Sequence, residues 1–356
     1  MTENRRVKTA IVGASGYSGE ELLRLLLVHP GVELSVITSR QFAGQPLGQV
    51  FPRFAHYPQA RGLNFVEPEP ALIARGARMV FLALPHGVAA ELAMPLLDAG
   101  CRIIDLSADF RLKSDAVYRE FYGHPHPAPR LLERSVYGLP ERYRASIQTA
   151  DLVASPGCYP TSILLPVLPL VQARLVRPDA IVANSLSGVS GAGRKVELDY
   201  LFVECHESMR PYGVPKHRHL SEIEQEISNA AGQPVFIQFI PHLVPVNRGI
   251  LTTLCLTPQP VLPDADARNR FNDQVAECYR DAYGHEPFVR LLSGKSLPDT
   301  KNVNGSNVIE IAWRLDARTG QLLIMSALDN LVKGAGGQAV QSFNLMNGLP
   351  ETAGLL

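Results

Sequence analysis

The chain has little of what marks secreted, membrane-embedded or nucleic-acid-binding proteins. Its five cysteines, at positions 101, 158, 205, 255 and 278, form an odd set without close spacing. That excludes a disulfide framework and a zinc knuckle, fits a reducing cytoplasm, and leaves no metal site to propose. Lys plus Arg and Asp plus Glu number 34 each, so no global field draws the chain to nucleic acid or to a membrane surface. An anionic ligand must therefore be met by local groups. No apolar run reaches membrane-spanning length. The polar start Met1-Thr-Glu-Asn-Arg-Arg carries no signal-like apolar segment, and there is neither a repeat nor a low-complexity tract.

What is present is an ordinary globular composition, 46% hydrophobic and 19% charged, over a length that exceeds one core. Two domains are expected. The β-branched run from Val7 leads into Gly13-Ala-Ser-Gly16-Tyr-Ser-Gly19, then a helical pattern over 20–28, the stop His29-Pro30-Gly31 and a second strand to Thr38. This strand–turn–helix–strand order makes one βαβ unit of about thirty residues. Alternation continues through a fully apolar strand at 79–84, a helix at 88–99 and a strand at 102–106, so the first part reads as a Rossmann-type doubly wound parallel sheet. Beyond Cys158 the strands lengthen, at 180–187, 235–240, 249–257, 309–314 and 322–328, with one long helix over 265–283. An α+β region with a mixed sheet is expected there, followed by a last helix at 338–346 whose destination periodicity does not reveal.

The glycines at 13, 16 and 19 suit a dinucleotide. They allow a tight turn and close approach of backbone to a pyrophosphate at the helix N-terminus, so Gly13, Ser15, Gly16, Tyr17, Ser18 and Gly19 are cofactor candidates. The second strand ends in Thr38-Ser39-Arg40 where an acidic residue would take the ribose hydroxyl of NAD. A hydroxyl and a guanidinium there accommodate the extra phosphate of NADP(H), so Ser39 and Arg40 point to that cofactor.

Cys158 stands in Ser155-Pro-Gly-Cys-Tyr-Pro-Thr161, just ahead of an apolar helix expected over 161–170. A thiolate is the reactive form of cysteine, and a helix N-terminus or a nearby imidazolium favours it. The competing reading is an inert buried thiol. Lys216-His-Arg-His219-Leu-Ser-Glu222 supplies two imidazoles, His217 and His219, on a loop before a helix expected over 222–229, with Glu222 to orient one of them. Two groups suit an anion: Arg111, just after a parallel strand end, and the turn Ser190-Gly191-Ala-Gly193-Arg194-Lys195. The remaining histidines, including His124 and His126, show no partner pattern.

Taken together these residues resemble the N-acetyl-γ-glutamyl-phosphate reductase family of the arginine pathway, within the wider semialdehyde dehydrogenase group. The resemblance runs nearly end to end. Its carriers are the glycine loop, Leu82-Ala-Leu-Pro-His-Gly87, Asp105-Leu-Ser-Ala-Asp-Phe-Arg111, Val136-Tyr-Gly-Leu-Pro140, the Cys158 motif, Ser187-Gly-Val-Ser-Gly-Ala-Gly-Arg194, His217-Arg-His219 and Asp329-Asn-Leu-Val-Lys-Gly334. Ser221 stands where the family pattern has proline. The resemblance implies a dinucleotide domain of residues 1–155 with 330–356 and a catalytic and oligomerisation domain of residues 156–329. It implies NADPH-dependent reduction of an acyl phosphate through a thioester on Cys158, with His219 or His217 as acid/base. Ser187, Gly188, Gly191, Arg194, Arg111 and Glu222 would meet the substrate, and Ala83, Pro85, His86, Asn330 and Gly334 the cofactor. A homodimer or homotetramer without nucleic-acid or membrane partners is expected. Aspartate-semialdehyde dehydrogenase, a carrier-linked acyl-phosphate reductase of the lysine pathway and a non-catalytic NADP-binding redox sensor are the alternatives.

Overall fold

The structure is a computed structural model and describes residues 6–194 and 196–356. Lys195 of the anion-binding turn lies outside the described residues. The chain divides into two compact units, residues 1–157 with 335–356, and residues 158–334. The units break at Cys158 and at Ala335.

Unit one holds a seven-stranded sheet built from β1 (Val7–Val12), β2 (Val32–Thr38), β3 (Phe65–Val66), β4 (Met79–Leu82), β5 (Arg102–Asp105), β6 (Val136–Tyr137) and β7 (Leu152–Ala154). Every pairing is parallel, in the order β3-β2-β1-β4-β5-β7-β6. Because successive side chains point to opposite faces, a strand covered on both sides must be apolar throughout, and all four residues of β4 are buried. Ile11, Phe81 and Ile104 share one core with Leu22 and Leu26 of helix α1 (Tyr17–Leu26). Ala10, Val12, Val80 and Leu82 share the other with Ala93 and Leu96 of α2 (Val88–Asp98). A third helix, α3 (Pro140–Thr149), follows β6.

The C-terminal helix, Gly337–Met346, returns to this unit: Ala339, Val340, Phe343 and Met346 belong to the first core. The Phe343 ring lies 5.8 Å from Phe81 and 5.5 Å from His29. Arg102 donates to the carbonyls of Met346 and Ala150, and Gln341 donates to Glu141 at 3.1 Å. A tie over two hundred residues of sequence separation leaves no trace in local periodicity, which is why the helix had no readable destination.

Unit two is a mixed sheet of β8 (Val176–Gly188), β9 (Arg210–Pro211), β10 (Gln238–Val244), β11 (Ile250–Pro258), β12 (Val289–Leu291), β13 (Ile309–Leu315) and β14 (Leu322–Leu328), in the order β12-β13-β14-β11-β8-β10-β9. β8 pairs with β10, and β12 with β13, in parallel; the other contacts are antiparallel. The expected strand at 235–240 begins three residues late. The N–H groups of Val235 and Ile237 bond Ser228 Oγ and Glu224 Oε1 instead of a strand.

Helix α4 (Cys158–Gln172) is nearly all buried and carries Pro166 and Pro169 in its interior. A proline has no N–H for the carbonyl four residues back. Those two orphaned carbonyls, Ser162 and Leu165, are met by the Ser326 hydroxyl at 2.7 Å and the Tyr283 hydroxyl at 2.6 Å. Tyr283 ends the long helix α6 (Ala265–Tyr283). The helix thus survives two prolines because β14 and α6 supply replacement donors, and it runs past both ends of the expected 161–170. Helix α5 (His219–Ala231) also starts earlier than expected.

Candidate active site

In unit one, Gly13 adopts φ +86, and a Cβ there would lie 2.4 Å from the Ala83 carbonyl oxygen. Only glycine fits that crossing of β1 and the end of β4. Gly13 N–H donates to Thr38 Oγ1 at 3.2 Å, and the hydroxyls of Ser15 and Ser39 bond at 2.9 Å. The glycine turn and the end of β2 are therefore one rigid piece at the N-terminus of α1. Arg40 next to it is exposed, and among the described residues its guanidinium makes no ion pair or hydrogen bond. An added Cβ at Gly16 would make only an ordinary contact, 3.8 Å from the Gly13 carbonyl oxygen, so the loop is uncrowded where a pyrophosphate would lie. These residues fit a dinucleotide.

At the ends of β4 and β5 the exposed Pro85 and the half-buried His86 sit beside a dense polar cluster that the sequence had not singled out. His86 Nδ1 accepts from Ala108 N–H at 3.0 Å. Asp109, fully buried, accepts from Gly87 and Ala90 N–H and from the Tyr118 hydroxyl, closing the N-terminus of α2 to outside anions. His126, without a partner in the sequence pattern, is 4% exposed, and its Nε2 bonds the Asp109 carbonyl. Burial and the neighbouring Asp109 push the Asp105 carboxyl above its usual range. Arg111 is 5% exposed, and its Nε and one terminal nitrogen donate to the carbonyls of Ser155 and Leu106. Part of the expected anion ligand is thus bound to the backbone that leads into Cys158.

In unit two, Cys158 is the first residue of α4, inside the helix instead of ahead of it, and is half-buried. A fifteen-residue helix directs the N–H groups of its first turn and its partial positive charge at this end. The next residue, Tyr159, accepts from the Tyr212 hydroxyl at 3.0 Å and donates to the His242 carbonyl at 3.3 Å. Burial raises both phenols, so they stay protonated. Neither tyrosine carried a signal in the sequence beyond adjacency to Cys158 or to the histidine loop.

The two histidines differ. His217 is ringed by Tyr212, Tyr159 and Phe239 at 5.4–5.6 Å, and its Nδ1 accepts the N–H of His219 at 3.1 Å. Burial, with Arg218 acting in the same direction, pushes its imidazole down to about 4. This bond to the first N–H of α5 explains the helix's early start, which places His219 on the first turn, one helical turn from the buried Glu222 at 4.0 Å. His219 therefore stands on the helix, whereas His217 stays on the preceding loop, where the sequence had placed both.

The candidate anion-binding turn lies at the end of β8. Ser187 is 2% exposed. Gly188 crosses Asn247 so closely that an added Cβ would lie 2.6 Å from its carbonyl oxygen. Val189 and Ser190 N–H already donate to Val246 and Asn247, while Gly191 and Arg194 are exposed. Asn330 is 2% exposed and joins this turn through Ser190, and Gly334 lies against Cys158. Arg248, missed in the sequence, is anchored beside the same loops by Asp329 at 3.5 Å.

Residues 8–150 match the family model described as the semialdehyde dehydrogenase NAD binding domain, and residues 158–330 the semialdehyde dehydrogenase dimerisation domain. N-acetyl-gamma-glutamyl-phosphate reductase of Akkermansia muciniphila is 56% identical over 99% of both chains. The chain belongs to the N-acetyl-γ-glutamyl-phosphate reductase family. The reductase of Geobacter metallireducens is 48% identical over 98% of both chains. Among solved structures, aspartate semialdehyde dehydrogenase II from Vibrio cholerae superposes with TM-score 0.73 at 17% identity, covering 97% of this chain and 99% of that one. The Candida albicans aspartate semialdehyde dehydrogenase with NADP gives TM-score 0.70 at 16% identity over 96% and 100%. These likenesses carry the fold; the family carries the oxidoreductase class and the NAD(P)-binding domain. Among the described residues no helix is long and apolar enough to cross a membrane.

Proposed function

We propose that the chain reduces N-acetyl-L-glutamyl 5-phosphate to N-acetyl-L-glutamate 5-semialdehyde and phosphate, with NADPH as the reductant and Cys158 as the nucleophile. The observation that carries the reading is Cys158 at the first turn of a buried helix, in a chain of this reductase family. The Cys158 sulfur attacks the acyl carbon of the substrate, a C–S bond forms, the C–O bond to phosphate breaks and phosphate leaves. A thioester remains on Cys158. When bound, the nicotinamide supplies hydride to a carbonyl carbon. The resulting tetrahedral species on Cys158 collapses by expelling the sulfur, which needs a proton donor, and the aldehyde is released.

His219, oriented by Glu222, suits the proton transfers better than His217, whose Nδ1 is occupied and which stays neutral. The turn Ser187–Gly191 with Arg194 takes the leaving phosphate, and Arg111 stays a candidate for substrate charge. Gly13, Ser15, Gly16, Tyr17, Ser18 and Gly19 hold the pyrophosphate, with Ala83, Pro85 and His86 along the same edge. Ser39 and the unpaired Arg40 favour NADP over NAD. The reading includes a homo-oligomer acting in the cytoplasm.

The test is Cys158→Ser assayed for phosphate-dependent NADP reduction by N-acetylglutamate semialdehyde. Turnover should vanish while NADP binding persists; turnover near the parent rate would sink the proposal.

A further inference from the structure

We propose that Asp109 is a positioning residue for the cofactor, holding the loop 83–87 against the glycine turn without touching the dinucleotide itself. Asp109 is fully buried, and its side chain reaches a loop far back in the sequence. Both carboxylate oxygens accept from Gly87 N–H, at 2.8 and 2.9 Å, and one of them also accepts from Ala90 N–H at 3.0 Å. The residue before it joins the same grip, with Ala108 N–H donating to His86 Nδ1 at 3.0 Å. Gly87 has no side chain with which to cap α2, and its φ of +85 is one that residues with a Cβ adopt only at a cost. The loop therefore takes its shape from Asp109, not from its own side chains.

The other end of the loop meets the glycine turn. Ala83 N–H donates to the Val12 carbonyl at 2.8 Å, and a Cβ on Gly13 would lie 2.4 Å from the Ala83 carbonyl oxygen and 3.0 Å from Leu84 Cδ2. Packing this close passes a displacement of the loop on to the turn. The grip is itself anchored on β5. Asp109 N–H donates to Ser107 Oγ at 3.1 Å, and Ser107 Oγ donates to the Asp105 carboxylate at 2.7 Å. Contacts thus run from the end of β5 through Asp109 and Gly87 to Ala83 and Gly13, all within unit one. A carboxylate suits this place because each of its oxygens can accept more than one N–H, and charge strengthens every such bond.

The inference rests on the dinucleotide reading of the glycine turn, and direct titration with NADP separates the two. Full-length Asp109→Ala, Asp109→Asn and Tyr118→Phe are compared by NADP titration, steady-state turnover and thermal unfolding. Asp109→Ala should raise the NADP dissociation constant and the NADP KM about tenfold or more, with kcat at saturating NADP within about threefold of the parent. Asp109→Asn keeps one oxygen for Gly87 and Ala90 N–H and can turn its amide nitrogen to the Tyr118 hydroxyl, so it should recover most of that affinity. Tyr118→Phe removes the buried 2.9 Å bond from its hydroxyl to Asp109 but leaves all the N–H contacts. Its melting temperature should fall while its NADP affinity moves less than about twofold. Parent affinity in Asp109→Ala, an Asp109→Asn no better than Asp109→Ala, or a loss in Tyr118→Phe as large as theirs overturns the inference. If Asp109→Ala does not fold, Gly87→Ala decides. A side chain at that φ displaces the same loop, so NADP should again bind about tenfold more weakly, and parent affinity overturns the inference. Absence of NADP binding in the parent protein overturns the cofactor reading instead.

Discussion

Gly334 lies so close to Cys158 that a methyl group on its α-carbon would sit 2.8 Å from Cys158 Cβ and 3.2 Å from Cys158 Cα. Gly334 N–H also donates to the Asp329 carbonyl at 2.9 Å, so this turn has little freedom to retreat. The bulk at residue 334 thereby governs where Cys158 stands. Gly334→Ala should cost about 1–3 kcal/mol of stability and lower kcat by about a hundredfold. Both are measured by thermal unfolding and by steady-state turnover; a variant with parent kcat would show that α4 can shift without consequence.

Tyr283→Phe and Ser326→Ala each remove the donor that replaces a missing proline N–H in α4. Each should destabilise the chain by about 1–3 kcal/mol, since a buried carbonyl is left unmet. Restoring the helix's own donor tests the same point from the other side. Pro169→Ala in the Tyr283→Phe background should recover part of the loss, as urea denaturation would reveal.

Arg40→Asp places a carboxylate where the second phosphate of NADP would lie. The preference should swing towards NAD by about tenfold or more in kcat/KM. An unchanged ratio would remove Arg40 from the cofactor site.

His217 offers a pH test. Burial holds its folded-state imidazole at about 4, below the usual 6.5. Above 6.5 both states are neutral and nothing is contributed. As pH falls from 6.5 towards 4 the unfolded chain binds the proton first, so stability is lost across that window, by up to about 3 kcal/mol. His217→Phe keeps the aromatic cage filled and removes this proton uptake. Its melting temperature should therefore decline less steeply than the parent's between pH 6.5 and 4, and equal slopes would place the imidazole in solvent.

Much of the site was legible because its elements are local. The glycine turn between strand and helix, the helix after Cys158 and the histidine pair each declare themselves within ten residues. What was misplaced depended on partners far along the chain. Helix α4 runs through Pro166 and Pro169, which normally break helices, and only Ser326 and Tyr283 explain why these do not. Helix α5 looked later because its first N–H is met by His217 Nδ1, a cap that no propensity encodes.

Arg111 and Asn330 show the same division in function. Its place after a strand end made Arg111 an expected anion ligand, and the family resemblance made Asn330 an expected cofactor ligand. Packing turns two Arg111 nitrogens onto the carbonyls of Ser155 and Leu106, and both ends of the Asn330 amide onto Gly249 and Ser190. The sequence by itself determined the strand–glycine turn–helix order and the alternation that builds a parallel sheet, because each follows from short-range chemistry and periodicity. Only tertiary structure decided which polar groups remain available to a ligand, because a buried donor or acceptor bonds whatever the fold brings within reach, and sequence spacing does not specify that partner.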